Sequence, residues 1–88
     1  MSSENPPAAR WTVKQGQYLA FIYAYTTLHG QAPAERDMER FFRSTPPSVH
    51  TMVKTLAREG FITRQDGVAR SIRLQVPPEA LPLLRPAE

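Results

Sequence analysis

Apolar residues return at the i, i+3, i+4, i+7 spacing of a helix in three successive runs, and then change to a rough alternation of period two. The first run carries Tyr18, Leu19, Ile22, Tyr25 and Thr26. Thr12 stands ahead of it as an N-cap whose hydroxyl can accept from a first-turn N–H while Gln15 reaches back to the Thr12 amide. Trp11 precedes the cap as a hydrophobic staple and Gly30 supplies the left-handed stop, so a helix is predicted from about Val13 to His29. Pro33 restarts the chain. Glu35 and Asp37 then place acidic charge in the first turn of a short second helix, where the dipole favours it, and Met38, Phe41 and Phe42 form its inward face. Arg43 and Ser44 make the turn.

The third run, Val49, Met52, Val53 and Leu56, belongs to a helix predicted from Pro46 to Glu59 and stopped by Gly60. Pro46 sits at the first helical position, where a missing N–H costs nothing. Pro47 lacks a donor as well, so the Thr45 hydroxyl is expected to cap the amide of Ser48. After Gly60, FITRQ and ARSIRLQV alternate Ile and Thr with polar residues and meet around Asp66-Gly67, which predicts a hairpin. The fold class is mainly α with a small β-hairpin: a winged helix-turn-helix of three helices plus a wing. Residues 1–10, MSSENPPAAR, read as a disordered leader, residues 11–76 as the winged domain and residues 77–88 as a Pro-rich tail. That tail is expected to be mostly unstructured, with Leu81, Leu83 and Leu84 as a docking or dimer patch.

Composition narrows the reading. With 88 residues there is one domain and one small core, and with no cysteine the fold rests on apolar burial rather than on disulfides or thiolate metal sites. The first residues lack the basic start and apolar stretch of a signal peptide, and no apolar run approaches the roughly 20 residues that cross a bilayer. A cytoplasmic protein with no membrane partner is expected. Between Arg40 and Arg73, seven basic residues stand against Glu59 and Asp66, a local excess of five positive charges in a chain whose formal net charge is +3. Such an asymmetry suits a polyanion.

The third helix shows where that polyanion would lie. Val49, Met52, Val53 and Leu56 serve as its anchor, while Pro47, Ser48, His50, Thr51, Lys54 and Thr55 form a free face of short polar side chains. A helix that enters the major groove of DNA needs side chains short enough for close approach, with hydroxyls to meet base edges and a lysine for guanine or phosphate. An ordinary solvated helix face is richer in Glu and Lys. In the wing, Arg64, Gln65, Arg70 and Arg73 flank the turn and are expected on phosphate or in the minor groove; Arg43 joins the basic set from the turn before the third helix. The partner is double-stranded DNA, with pairing of two copies on a two-fold site, since one such domain covers about half a typical operator. The aromatic side of the first helix, Phe21, Tyr23 and Tyr25, is the other candidate surface for that pairing. A winged-helix module that binds protein without reading DNA is the alternative, which exposed large apolar residues on the third helix would favour.

Other chemistries find no support. His29 and His50, the only histidines, cannot supply three ligands from one locality, so no metal site is expected. Ser48 and His50 diverge by about 200° around a helix, which excludes a nucleophile and base pair between them. The glycines at 16, 30, 60 and 67 match neither a phosphate loop nor a dinucleotide fingerprint. No enzyme, cofactor or small-molecule ligand is expected.

Taken in order, Thr12 and Gln15, Leu19 with Phe21-Ile22, Gly30, Thr45-Pro46, Leu56-Ala57-Arg58-Glu59-Gly60 and Ala69-Arg70-Ser71-Ile72-Arg73-Leu74 resemble the N-terminal DNA-binding domain of LexA-type repressors. The resemblance covers about Trp11 to Leu74. It implies a winged helix-turn-helix transcription regulator with base contacts from Thr45, Pro47, Ser48, His50 and Thr51. The family's polar and acidic residues at this helix start are replaced here by Pro47, Ser48, His50 and Thr51, which implies an operator other than the SOS sequence. Full-length repressors of this type continue into a self-cleaving, dimerising domain; that activity is not implied for this chain.

Overall fold

Thr12 opens the first helix by a reciprocal pair of bonds: the Gln15 amide donates to Thr12 Oγ1 at 3.0 Å and the Thr12 amide donates to Gln15 Oε1 at 2.9 Å. Helix α1 therefore runs Val13–His29 and stops at Gly30, whose φ of 73° only glycine adopts without strain. The structure, a computed structural model, describes residues 11–86, so the leader expected over residues 1–10 lies outside the described residues, as do the last two of the tail. Helix α2, Glu35–Phe42, has no side-chain cap from Ala34; instead Asp37 Oδ2 accepts from the Ala34 amide at 2.8 Å. It ends at Arg43 in the left-handed conformation, φ 53°. Helix α3, Pro46–Arg58, follows after a tight turn, with Glu59 as its C-cap, one residue earlier than the sequence pattern suggested.

The expected hairpin forms, but its ladder is short. Strand β1 (Ile62–Thr63) pairs antiparallel with β2 (Arg73–Leu74), placing Ile62 opposite Leu74 and Thr63 opposite Arg73. The rest of the wing is a loop braced from within by Ser71, whose Oγ accepts from the Gln65 amide at 2.9 Å and lies 2.8 Å from the Val68 carbonyl. Three helices followed by a two-stranded wing constitute the winged helix-turn-helix fold.

The core lies where α1, α2, α3 and the wing root converge. Tyr18, Leu19 and Ile22 of α1 meet Met38 of α2, Val49, Val53 and Leu56 of α3, and Phe61, Ile62 and Ile72 at the base of the wing. Rings fill the gap between α1 and α2: Tyr18 stacks on Phe42 at 4.1 Å, and Phe21 sits 4.8 Å from Phe41 and 5.8 Å from Tyr25. Phe21 and Tyr25 are thus absorbed by the core, and of the three aromatics set aside for pairing only Tyr23 is exposed. Thr26, assigned to the inward stripe, faces solvent and returns its hydroxyl to the Ile22 carbonyl at 2.8 Å.

The Pro-rich tail is not unstructured over its described length. Pro78–Ala80 form a 3₁₀ turn, Leu81 and Leu84 pack on the core, and Leu83 alone of the three leucines faces outward. Gln17 of α1 fixes the segment by donating to the Leu83 carbonyl at 2.8 Å and accepting from the Arg85 amide at 2.8 Å. The contact depends on Gly16: a Cβ there would stand 3.1 Å from both Pro82 Cγ and Trp11 Cδ1.

Candidate nucleic-acid interface

Helix α3 is held from behind. Val49, Val53 and Leu56 are fully buried, whereas Met52, which shares their stripe, is only partly covered. Burial on that scale fixes the helix axis, each such side chain contributing roughly 1.5–3 kcal/mol. The outward side presents Pro47, Ser48, His50, Thr51 and Lys54, all exposed, with Thr55 partly covered beside them.

The start of α3 is unusual in its donors. Pro46 and Pro47 have no N–H, the Ser48 amide donates to Thr45 Oγ1 at 3.3 Å, and the Val49 amide donates to the Thr45 carbonyl at 3.0 Å. No first-turn amide is therefore left to grip a phosphate in the way of a helix N-terminal anion site. The Thr45 hydroxyl in turn donates to Ser48 Oγ at 3.0 Å, which commits Thr45 and leaves the Ser48 hydroxyl proton free to point outward. His50 is also oriented from within the chain, since its Nδ1 lies 3.2 Å from both carboxylate oxygens of Glu35 at the head of α2. With Nδ1 donating to Glu35, Nε2 is the ring atom left for a partner.

Beside this face lies a shallow depression whose other wall is the start of α1, with Thr12, Lys14 and Gln15 opposite Ser48, Thr51 and Thr55. Lys14 is exposed there and belongs with the basic set. Sequence reasoning missed it because the capping box dates only the start of α1; its distance from α3 is set by the fold.

The wing arginines divide. Arg73 is exposed on β2, and Arg43 is exposed in the turn before α3. Arg64 is largely covered, and its Nη1 donates to Asp66 Oδ1 at 2.7 Å, so its charge is partly offset locally. Arg70, expected on DNA, turns inward instead. Its Nη1 lies 3.1 Å from Tyr25 Oη, 3.0 Å from the Ala32 carbonyl and 3.2 Å from Asp37 Oδ2. These contacts engage Nη1 within the chain, while the side chain as a whole stays 35% exposed. Burial pushes the Asp37 carboxyl up, but the Ala34 amide, the Arg70 charge, the Tyr25 hydroxyl and Arg40 outweigh it and leave the group below its usual value. Between α1 and the turn, burial raises the Tyr18 phenol, and a hydrogen bond with Ser44 offsets part of that.

Among the described residues no group of three His, Cys, Asp or Glu side chains could hold a metal ion, and no helix is long and apolar enough to cross a membrane.

Comparison with known proteins bears on this surface. A family model for the LexA DNA binding domain matches residues 9–71. The LexA repressor of Thermosipho africanus is 37% identical over 70 residues, covering 80% of this chain and 35% of the relative. That of Thermosipho melanesiensis is 40% identical over 63 residues, 72% of this chain and 32% of the relative. The LexA repressor of Pseudothermotoga lettingae is 36% identical over 72 residues, 82% and 36% of the two chains. The chain thus spans about a third of the length of the curated relatives it matches.

Proposed function

This chain belongs to the LexA DNA-binding domain family, and from that premise we propose that it acts in a bacterial transcriptional regulator, binding a specific double-stranded operator with α3 in the major groove. The observation that carries the reading is the division of α3 into two faces: Val49, Val53 and Leu56 are buried, and the opposite side is a row of short polar groups with one lysine. Ser48 and Thr51 offer hydroxyls that can donate or accept at base edges, His50 offers Nε2, and Lys54 suits guanine or phosphate. Pro47 supplies a short apolar contact. Since α3 has no free amide at its start, the backbone is met by side chains: Lys14, Arg43 and Arg73 on phosphates, with Gln65 at the wing. Thr55 lies deeper and limits how closely the axis approaches.

Occupying an operator would block transcription, as the name of the relatives indicates for them, and the setting is the bacterial cytoplasm, where the DNA is. Two copies pair on a two-fold site, each reading one half. Selection of bound sequences from random duplexes at stated salt tests the proposal. The expected result is one enriched motif with two-fold symmetry; a bound pool indistinguishable from the input would replace DNA reading with the protein-binding alternative.

A further inference from the structure

The root of the wing is anchored in the core by Phe61, Ile62 and Ile72, but the loop beyond it has little to hold it at a fixed angle. The ladder joins β1 and β2 through only two residue pairs, and a short two-stranded hairpin is marginally stable by itself. The loop between them is nonetheless a unit, because Ser71 bonds to the Gln65 amide and to the Gln65 and Val68 carbonyls. Such a body can swing about its root unless a further contact stops it.

Arg70 supplies that contact. It lies in the left-handed conformation, φ 56°, at the point where the loop returns toward β2. From there its Nη1, with two hydrogens, meets Tyr25 Oη of α1, the Ala32 carbonyl of the α1–α2 connection and Asp37 Oδ2 of α2. Asp37 also accepts from the Ala34 amide that begins α2, and α2 packs against α3. The guanidinium carbon is 5.8 Å from the centre of the Tyr25 ring. We propose that Arg70 is a positioning residue for DNA binding: through Tyr25, Ala32 and Asp37 it locks the wing to the body that carries α3, so that Arg73 and Gln65 meet the backbone while α3 sits in the groove. Arg70 itself touches no DNA. The inference rests on the DNA-binding reading.

A positioning residue and a phosphate contact differ in how salt acts on their loss. Removing a phosphate contact reduces the dependence of log affinity on log salt by about one counterion, whereas loosening the wing leaves the remaining contacts and the slope in place. Anisotropy titrations over a salt series, on the duplex selected with the wild-type chain, compare the wild type with Arg70→Ala and Tyr25→Phe. Each protein is held at a temperature where circular dichroism shows it folded. Both variants are expected to bind roughly two- to tenfold more weakly, the cost of ordering on DNA a loop that the clasp otherwise orders beforehand, with the wild-type salt slope unchanged. Amide exchange should quicken at Gln65 and Val68 and stay unchanged at Val53. Tyr25→Phe removes one hydroxyl and no charge, so it decides the matter even if Arg70→Ala fails to fold. A lower slope in Arg70→Ala together with wild-type binding by Tyr25→Phe would make Arg70 a phosphate contact and overturn the proposal. Undiminished binding by both would overturn it as well. Failure of the wild-type chain to bind any duplex would instead overturn the DNA reading itself, and this inference with it.

Discussion

At the scale of single residues, the start of α3 depends on one hydroxyl. Pro46 and Pro47 remove two donors, and the only first-turn amide needing a side-chain partner, that of Ser48, is met by Thr45 Oγ1. Thr45→Ala is therefore expected to lower stability by about 1 kcal/mol, read from the urea midpoint with an unchanged slope. Asp37 gives a prediction in pH. Its folded carboxyl titrates below the usual 3.8, so the stability it contributes is fully present above that value and is lost as pH falls through the folded one. The stability gap between wild type and Asp37→Asn, followed by thermal melts, should stay constant above about pH 5 and narrow below the usual carboxylate range. A gap that persists unchanged into strong acid would contradict this. Local chemistry made part of this scale legible in advance: Thr12 with Gln15, and Thr45 before two prolines, act within one turn of their own sequence. Arg70 was not legible, because its partners lie 33 to 45 positions away and a basic residue in a wing carries the same letter whether it faces phosphate or Asp37.

At the scale of elements, the order of helices, the turn and the wing followed from periodicity, and the caps marked both ends of α1 and the start of α3; the end of α3, one residue earlier, and the packing of the tail did not. The tail escaped because proline carries no amide and favours extended backbone, so its order comes from no local ladder. It comes from Gln17, which meets Leu83 and Arg85 across 66 and 68 positions, and from Leu81 and Leu84 against the core. A chain ending at Val76 is accordingly expected to lose roughly 2 kcal/mol, about half of what full burial of two leucines contributes, and to keep its DNA affinity per folded molecule. Chemical denaturation with titration of the same samples checks both halves. The aromatic side of α1 was misjudged for a related reason. Counting rings on one helix does not reveal that Phe41 and Phe42 of α2 approach from the other side and cover Phe21.

At the scale of the whole molecule, the surfaces first named for pairing contract to Tyr23 on α1 and Leu83 on the tail, both exposed and each a single large side chain. Free in solution, the chain is expected to sediment as a monomer, and on a two-fold duplex as two copies. A stable dimer without DNA would show that a larger pairing surface exists. The basic set also changes from the one counted along the sequence. With Arg70 and Arg64 engaged internally, Arg40, Arg43, Lys54, Arg58 and Arg73 remain exposed of the seven, and Lys14 joins them from the start of α1. The central claim is that the outward face of α3 reads bases, and the measurement that tests it most directly is the affinity of Ser48→Ala, Thr51→Ala and Lys14→Ala for the selected duplex and for a scrambled one at the same salt. Ser48→Ala and Thr51→Ala should lose about 1–3 kcal/mol on the selected duplex and little on the scrambled one, while Lys14→Ala weakens both alike. Equal losses on the two duplexes for both α3 variants would contradict the account.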